Sequence, residues 1–302
     1  MKVVVFDDDP TGSQTVHSCP LLLSRDALSL REGLAHPSPL LFVLANTRAL
    51  APEAARTRVR EICRNLGEAL AAIAAEDAAL ADRLRPLLLV SRGDSTLRGH
   101  FPLELEAIEA ALPQLPSPWN ATVDGRFLVP AFLPGGRTTV AGVHLLHGEP
   151  VHTSAFARDG LFAYQTSDLT AYIEAKSSGR IPATSVERLS LADLEGEPAE
   201  LVARLAALAP GAWVAVDAQH PRHLAALGAA VRALTDPAAA DVWCRPRTFL
   251  FQSAASLLNG LVELGEPALS GAALARLRRR GPAAEPLPAL VLVGSHVPLA
   301  DA

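Results

Sequence analysis

The chain has 302 residues, of which 49% are hydrophobic and 20% charged, and its formal net charge is −5. This length supports a large core and predicts more than one domain, whereas the negative charge argues against a nucleic-acid-binding protein, which normally presents a basic face. Three widely spaced cysteines, no signal peptide before the first apolar run, and no apolar run of the ~20 residues that span a bilayer together predict a cytoplasmic protein.

Short apolar runs alternate with longer helical stretches along the chain. In chain order, the predicted strands are residues 2–7, 40–45, 86–91, 127–130, 212–217, 248–252 and 289–293. Apolar residues at three- and four-residue spacing predict helices at 52–84, 103–112, 191–208 and 221–234. The alternation is typical of the α/β class and predicts a doubly wound, mainly parallel, Rossmann-like sheet. Weaker periodicity over residues 140–190 predicts irregular structure or a small antiparallel segment there.

Three consecutive carboxylates follow the first predicted strand. Asp7, Asp8 and Asp9 repel one another, so packing alone would not select them. At the carboxyl end of a parallel strand, acids can meet a ligand, a Mg²⁺ ion or a hydroxyl that awaits deprotonation. We interpret this acidic triad as the main reaction site. Asp7 stays ambiguous, since a buried role at the end of the strand fits it equally well.

Polar clusters also follow later strands, where an α/β sheet presents its ligand crevice. Arginine fits recognition of a carboxylate, because its guanidinium donates two parallel hydrogen bonds, and Asp oxygens suit sugar hydroxyls. The pattern therefore predicts a small polyhydroxylated acid as the ligand. The residues that carry this prediction are Arg48, Arg92, Arg98 and Arg137 with Asp8, Asp9 and Asp94.

Several of these features have a purely structural alternative. Arg98 and Asp94 could form an ion pair that only stabilises their loop, and Asp217 could cap the helix that follows it. His144 and His147, with Glu149 and His152 nearby, superficially suggest zinc. The segment lacks the HExxH pattern and is rich in turn residues, so no metal site is predicted there.

One alternative function arises from the first motif itself. Residues 7–11 satisfy DxDxT, which is typical of haloacid-dehalogenase-type phosphatases. In such an enzyme Asp7 would be the phosphoryl nucleophile and Asp9 the acid and base, with Mg²⁺ neutralising charge. That scheme also needs a downstream lysine at the start of a strand or helix and a later acidic pair. Lys176 lies in a Ser/Gly-rich segment, and no such pair follows a late strand.

A second interpretation accounts for more of the chain. It rests on a series of motifs that spans nearly the whole chain. The motifs are Asp8-Asp9-Pro10-Thr11-Gly12, Asn46-Thr47-Arg48, Asp94-Ser95-Thr96-Leu97-Arg98-Gly99, Pro130-Ala131-Phe132 with Gly136-Arg137, Asp217-Ala218 and Val293-Gly294-Ser295. In sequence and in order they resemble those of the four-carbon acid sugar kinase family. That resemblance implies a two-domain enzyme that phosphorylates threonate, erythronate or oxo-tetronate with ATP and Mg²⁺. The N-terminal domain of the family binds the acid, and the C-terminal domain supplies most of the nucleotide site.

The resemblance implies roles for individual residues. Asp9 or Asp8 would activate the substrate hydroxyl, and Ser295, with Gly294, would make the first nucleotide contact. Arg92 stands where many relatives have Lys, which keeps the charge and changes its geometry. Arg48 and the loop formed by Arg92, Gly93, Asp94 and Ser95 would hold the acid.

The resemblance also implies a domain organisation. Residues 1–262 would form the acid-binding domain, residues 263–288 a linker, and residues 289–302 the first strand of a nucleotide-binding domain. Because the Gly-rich nucleotide loops of that second domain are absent, we expect a truncated chain that binds substrate and is inactive alone. A non-catalytic sugar-acid-binding module and a homodimer both stay open as alternatives.

Overall fold

The computed structural model describes residues 1–239, 245–266, 269–277, 281–282, 285 and 287. The predicted strand 289–293 and the predicted nucleotide contacts Gly294 and Ser295 lie outside these residues. Within the described part of the chain, every helix is too short or too polar to cross a membrane.

In the part of the chain that the structure describes, eleven strands form two sheets, and the larger of the two is entirely parallel. The strands are β1 Lys2–Asp7, β2 Leu21–Leu22, β3 Leu40–Leu44, β4 Leu87–Arg92, β5 Gly125–Val129, β6 Arg137–Val140, β7 Val143–Leu146, β8 Glu149–Pro150, β9 Val186–Leu189, β10 Ala212–Val216 and β11 Phe249–Ser253. The main sheet has the order β2-β3-β1-β4-β11-β5-β10-β9, and β6, β7 and β8 form a small antiparallel sheet. The predicted α/β class and mainly parallel sheet are therefore confirmed.

Helices cover both faces of the main sheet. They are α1 Ala27–Ala35, α2 Pro52–Glu76, α3 Ala78–Arg83, α4 Leu103–Ala111, α5 Leu169–Lys176, α6 Leu191–Glu195, α7 Pro198–Ala206, α8 Pro221–Thr235 and the short helices Leu258–Leu261 and Gly271–Arg276. Alternate residues of β1 point to opposite faces. Val4 and Phe6 pack in the core beneath α1, α2 and α4, and Val3 and Val5 pack in the core beneath α7 and α8.

Two predicted helices are each divided in the structure. The helix predicted at 52–84 ends at Glu76, because Asp77 leaves the helical conformation and its side chain accepts a hydrogen bond from the Leu80 amide to cap α3. The helix predicted at 191–208 is interrupted at Gly196, which adopts an extended conformation, and Pro198 then begins α7.

The weakly periodic middle of the chain contains the predicted small antiparallel sheet. It also contains α5 and the strand β9, which pairs in parallel with β10 at the edge of the main sheet. The sequence pattern did not predict either element. β9 has only four residues, and its two central positions are exposed, so it lacks the apolar run of a buried strand.

The strand order brings the polar clusters to one edge. β1 lies between β3 and β4, with Asp7 opposite Leu44 on one side and Arg92 on the other. Since parallel strands end at the same edge, the segments that follow β1, β3 and β4 are adjacent in space. β11 lies directly beyond β4, so its last residues, Gln252 and Ser253, join the same edge.

The packing of α8 against the helix Leu258–Leu261 depends on two glycines. A Cβ at Gly228 would overlap the carbonyl oxygen of Gly260. We therefore expect Gly228→Ala to lower the free energy of unfolding by roughly 2–3 kcal/mol in urea denaturation. The matched control is Gly67→Ala in α2, where the new Cβ would lie 3.5 Å from its nearest neighbour. That substitution should be neutral or stabilise the protein by up to ~1 kcal/mol. Equal stability of both variants would contradict the packing argument.

Candidate functional site

The acidic triad is fixed to its neighbours through the backbone. The Asp7 carbonyl accepts a hydrogen bond from the amide of Asn46 at 3.0 Å, and the Asp8 carbonyl accepts one from the amide of Arg48 at 3.1 Å. The Asp8 amide donates to the Arg92 carbonyl, also at 3.1 Å. These bonds hold the end of β1 to the segments that follow β3 and β4, so the triad is held on both sides.

Two guanidinium groups neutralise much of the charge of the triad. Arg48 donates to both carboxylate oxygens of Asp8, with Nε at 2.9 Å and Nη2 at 2.7 Å, and it also pairs with Asp9. Arg92 Nη1 lies 3.1 Å from Asp8, 3.2 Å from Asp9 and 3.8 Å from Asp7. Arg48 additionally lies 3.8 Å from Asp94. The sequence prediction that these residues act together is therefore consistent with their positions.

Asp7 is sealed inside the protein. Its carboxylate is fully buried, and neither oxygen has a hydrogen-bond partner among the described residues. The backbone of Gly12 lies directly against it, so that a Cβ at this position would overlap the carboxylate. Burial raises the pKa of Asp7 to about 7, against the opposing charge of Arg92. Asp7 therefore occupies the buried strand-end role that the sequence left open.

Asp8 and Asp9 have different environments. Burial raises the pKa of Asp8 to about 7, although Arg48 opposes the shift. The Asp9 side chain is 18% exposed. Burial alone would raise the pKa of Asp9, but Arg48 and two hydrogen bonds from Thr11 outweigh that effect and lower it. Asp9 is thus the member of the triad that combines a full negative charge at neutral pH with access to solvent.

A cleft of about 780 Å³ opens beside Asp9. Asn46, Arg48 and Arg98 line one side of it. The other side is residues 155–162, of which 155–158 form a single 3₁₀ turn. Arg98 stacks on Phe156 of this segment, with its guanidinium carbon 4.8 Å from the ring centroid. The sequence analysis did not predict that residues 155–162 form one side of the cleft. The feature that could have indicated it is the Arg158-Asp159-Gly160 triplet, which lies between Phe156 and Phe162 in a segment without periodicity.

A larger groove, of about 1060 Å³, lies between α2 and α4. Its lining contains none of the residues predicted from the motifs, and the acidic triad is not part of it. The smaller cleft is therefore the better candidate site, because it combines an accessible ionised carboxylate with guanidinium groups.

Three side chains from the part of the chain between β6 and β9 form hydrogen bonds with the backbone of the loop after β4. The hydroxyls of Tyr164 and Tyr172 donate to the carbonyls of Thr96 and Leu97, at 2.7 and 2.9 Å. His144 Nε2 bonds to the Ser95 carbonyl at 2.8 Å. These contacts hold the loop at three points, so the position of Arg98 at the cleft is set by β7, α5 and the segment between β8 and α5.

The zinc pattern around His144 has a structural explanation. This residue is fully buried, and its Nδ1 bonds to the Thr139 hydroxyl at 2.9 Å while Nε2 bonds to the loop. Burial lowers the pKa of His144 to about 4, so the ring is neutral. His152 bonds to the Ser167 hydroxyl. Both nitrogens of His144 are thus engaged in hydrogen bonds, one to β6 and one to the loop after β4.

The remaining predicted residues that the structure describes lie near the cleft or contact the segments around it. Arg98 does form the predicted ion pair with Asp94, at 2.8 Å, and it also lines the cleft. Arg137 donates to the Gly135 carbonyl at 2.6 Å and stacks over Phe132. The Gly93 amide donates to the carbonyl at the end of β11.

Asp217 has a structural role, but a different one from the predicted helix cap. Its carboxylate accepts hydrogen bonds from the amides of Ala141 and Gly142, at 2.8 and 2.9 Å, and so holds the turn between β6 and β7. The N-cap of α8 is His220, with His223 completing a capping box.

The triad does not fit a resident metal ion. Ligand oxygens of the three acids lie within 4.8 Å of one another, as a divalent cation would require. However, the Arg92 guanidinium already lies among them, and Gly12 closes off Asp7. The arginine thus supplies the positive charge that a metal would otherwise bring.

The phosphatase interpretation is not favoured by these positions. A nucleophilic Asp7 would have to reach a phosphoryl group, yet its carboxylate is fully buried against Gly12. Lys176 is the residue that would have to serve as the downstream lysine of a phosphatase. It donates hydrogen bonds to the carbonyls of Phe162 and Ala163, at 3.1 and 2.9 Å. Both of its partners are backbone carbonyls, not carboxylates of the triad.

Comparison with known proteins identifies the family. Residues 3–261 match the family model of a sugar-binding N-terminal domain. The chain belongs to this family. It is also similar to a D-erythronate kinase from Heliobacterium modesticaldum, with 32% identity over 206 residues. The alignment covers 64% of this chain and 41% of that kinase. The resemblance to the four-carbon acid sugar kinases that the motifs predicted is thereby confirmed.

Solved structures share the fold. A DUF1537 domain from Bordetella bronchiseptica, a domain-swapped dimer with bound citrate, matches with a TM-score of 0.59 and 23% identity. The match covers 86% of this chain and 56% of that one. A DUF1537-family protein from Haemophilus influenzae matches with a TM-score of 0.55 and 15% identity, over 86% of this chain and 57% of its own. The chain thus spans little more than half of these proteins.

The sealed environment of Asp7 predicts a pH-dependent stability. Its pKa is raised from 3.8 to about 7, so the folded state holds a proton that the unfolded state releases. Below about pH 4 both states are protonated, and the penalty grows as the pH rises to 7, reaching at most ~4 kcal/mol at ~1.4 kcal/mol per pKa unit. Asp7→Asn removes the titration of Asp7 and keeps that of Asp8, whose pKa is also raised to about 7, so it should make the decline in stability between pH 5 and pH 8 shallower.

Urea denaturation at pH 5 and at pH 8 measures the change in the free energy of unfolding between these values, for the unmodified protein and for the Asp7→Asn and Asp82→Asn variants. Asp82 is a suitable control because its side chain is 84% exposed. An unchanged pH dependence in the Asp7 variant would show that Asp7 is ionised in the folded protein.

Proposed function

We propose that this chain binds a small four-carbon sugar acid, of the threonate, erythronate or oxo-tetronate type. In our proposal it is the acid-binding part of an ATP-dependent kinase that phosphorylates the acid at a terminal hydroxyl. The observation that carries the proposal is the pairing of an accessible, ionised Asp9 with Arg48 and Arg98 on one cleft. The similarity to a D-erythronate kinase supports the substrate class, and the citrate held by the Bordetella relative supports a small hydroxy acid.

The roles of the residues follow from their contacts. Asp9 would accept the proton of the terminal hydroxyl, because its lowered pKa keeps it ionised and the cleft exposes it. Arg48 is already bonded to Asp8 and Asp9, so it would orient the base and add positive charge. Arg98 would bind the substrate carboxylate. Arg158 adds an exposed guanidinium on the opposite wall of the cleft.

The nucleotide would be bound elsewhere. ATP would donate its γ-phosphoryl group in line with the hydroxyl at Asp9, and Mg²⁺ would arrive with the nucleotide. We place the first ATP contacts at Gly294 and Ser295 in a second domain that begins at residue 289. The acid-binding domain would end at residue 262, which is consistent with the family match over residues 3–261 and with the buried position of Val262.

Binding of the acid is the first test of this proposal. Titration calorimetry with D-erythronate, L- and D-threonate and 2-oxo-tetronate should detect binding of at least one of them to the chain. Arg98→Gln should weaken that binding by about 10–100-fold, since a hydrogen bond to a charged group contributes roughly 1.5–3 kcal/mol.

The matched control is Arg64→Gln. Arg64 is exposed on α2 and lines the larger groove. A loss of binding in this variant but not in Arg98→Gln would move the site to that groove. If none of the acids binds, and Mg²⁺ with a phosphate mimic stabilises the protein, the result would instead support a phosphatase.

The assignment of the base is tested by turnover. In the protein that includes its nucleotide-binding part, Asp9→Asn should lower kcat by roughly 10²–10⁴-fold while acid binding is kept. The release of ADP from Mg·ATP measures this rate, and Asp82→Asn serves as the exposed control. Full turnover in Asp9→Asn, together with its loss in Asp8→Asn, would give the role of base to Asp8. Acid binding without turnover in the unmodified protein would support a binding module.

A further inference from the structure

Two buried polar side chains at the end of β11 lack partners. Gln252 is 6% exposed and Ser253 is 2% exposed. Neither the Gln252 Oε1 atom nor the Ser253 hydroxyl forms a hydrogen bond with any residue that the structure describes. Buried polar atoms in folded proteins are almost always paired, so each exception needs an explanation. These two adjacent residues lie on a central strand, at the edge of the sheet that carries the acidic triad.

The loop after β4 leaves space in front of Gln252. A Cβ at Gly99 would lie 3.8 Å from Asp8 Oδ2 and 4.0 Å from Gln252 Nε2. A Cβ at Gly93 would lie only 3.0 Å from the same Nε2 atom. A side chain at Gly99 would therefore enter the space between the carboxamide and the carboxylate, and a side chain at Gly93 would crowd the carboxamide itself. Gly99 keeps this space open, and Gly93 lets the loop approach Gln252 closely.

A small cavity lies beside this space, and its lining shares Arg98 with the lining of the cleft. It has a volume of about 20 Å³, and Gly93, Gly99, Gln252 and Ser253 line it together with Arg98. That volume suits one water-sized group such as a hydroxyl. Arg98 also lines the cleft beside Asp9. A ligand whose carboxylate is on Arg98 could thus present a neighbouring hydroxyl to the cavity.

We propose that Gln252 and Ser253 recognise a secondary hydroxyl of the sugar acid, and that they determine which acid is accepted. This inference rests on the proposed function, because it assumes that a sugar acid occupies the cleft. The carboxamide offers both a donor and an acceptor, which matches a hydroxyl that does the same. An acid without that hydroxyl would leave both side chains unpaired, and a site of this kind rejects such analogues strongly.

Deoxy analogues of the substrate test the proposal. The acid that the unmodified chain binds should be compared by calorimetry with 2,4-dihydroxybutyrate and 3,4-dihydroxybutyrate, each of which lacks one secondary hydroxyl. We expect one of the two to bind at least about 30-fold more weakly. Gln252→Met keeps the length of the side chain without its polar atoms. It should weaken binding of the full acid to the level of that analogue and leave binding of the analogue itself within about twofold.

Two further variants complete the experiment. Gln114→Met is the matched control, since Gln114 is exposed at the end of α4 and should not affect binding. Ser253→Ala removes only one oxygen, and it should reduce the discrimination in the same direction even if Gln252→Met fails to fold.

Each outcome has a distinct meaning. If the unmodified chain binds no sugar acid, the proposed function itself fails, and this inference fails with it. If it binds an acid and both variants keep the full discrimination, the function stands and the hydroxyl-recognition role is wrong. Loss of stability in the variants without any change in discrimination would likewise overturn the inference, because it would assign the two residues to a fixed buried water.

Discussion

The site depends on the Asp8 carboxylate being held between two arginines. Three adjacent acids at the end of one strand would repel one another strongly in a buried environment. The parallel register of β1 and β4 sets Arg92 opposite Asp7 and so brings its guanidinium among the triad. Arg48, on the segment after β3, closes the other side. Loss of one partner from a buried pair of this kind typically costs 3–5 kcal/mol, because the remaining charge is left uncompensated.

The same network gives identical neighbouring residues different acidities, since the pKa is raised for Asp7 and Asp8 and lowered for Asp9. The Asp7 carboxylate has no hydrogen-bond partner among the described residues and lies against Gly12, so burial outweighs the charge of Arg92 and the pKa of Asp7 is raised. Asp9 accepts hydrogen bonds from Thr11 and faces the cleft, so its pKa is lowered. Divergent environments for neighbouring carboxylates are how proteins separate chemical roles among identical side chains. In this chain the separation leaves one acid accessible and charged.

The small antiparallel sheet and the segment that follows it, through α5, link the fold to the cleft. Tyr164, Tyr172 and His144 fix the backbone of the loop after β4, and the 155–162 segment forms the far wall of the cleft. Contacts between residues 49 to 75 positions apart in the sequence therefore set the position of the loop that carries Arg98. A rigid supporting layer of this kind suits a binding site, because ligand groups must be held in place before they can be recognised.

The sequence by itself determined the fold class, most strands of the main sheet, and the clusters of polar residues that follow them. It did so because strand periodicity is local, and because parallel strands end at a common edge. Only the tertiary structure decided that Asp7 is sealed while Asp9 is open, and that Asp217 holds a turn. The tertiary structure also shows that the 155–162 segment, Gln252 and Ser253 lie beside the loop after β4, which the sequence pattern did not predict. These properties depend on burial and on contacts between distant segments, which no local pattern of residue types records.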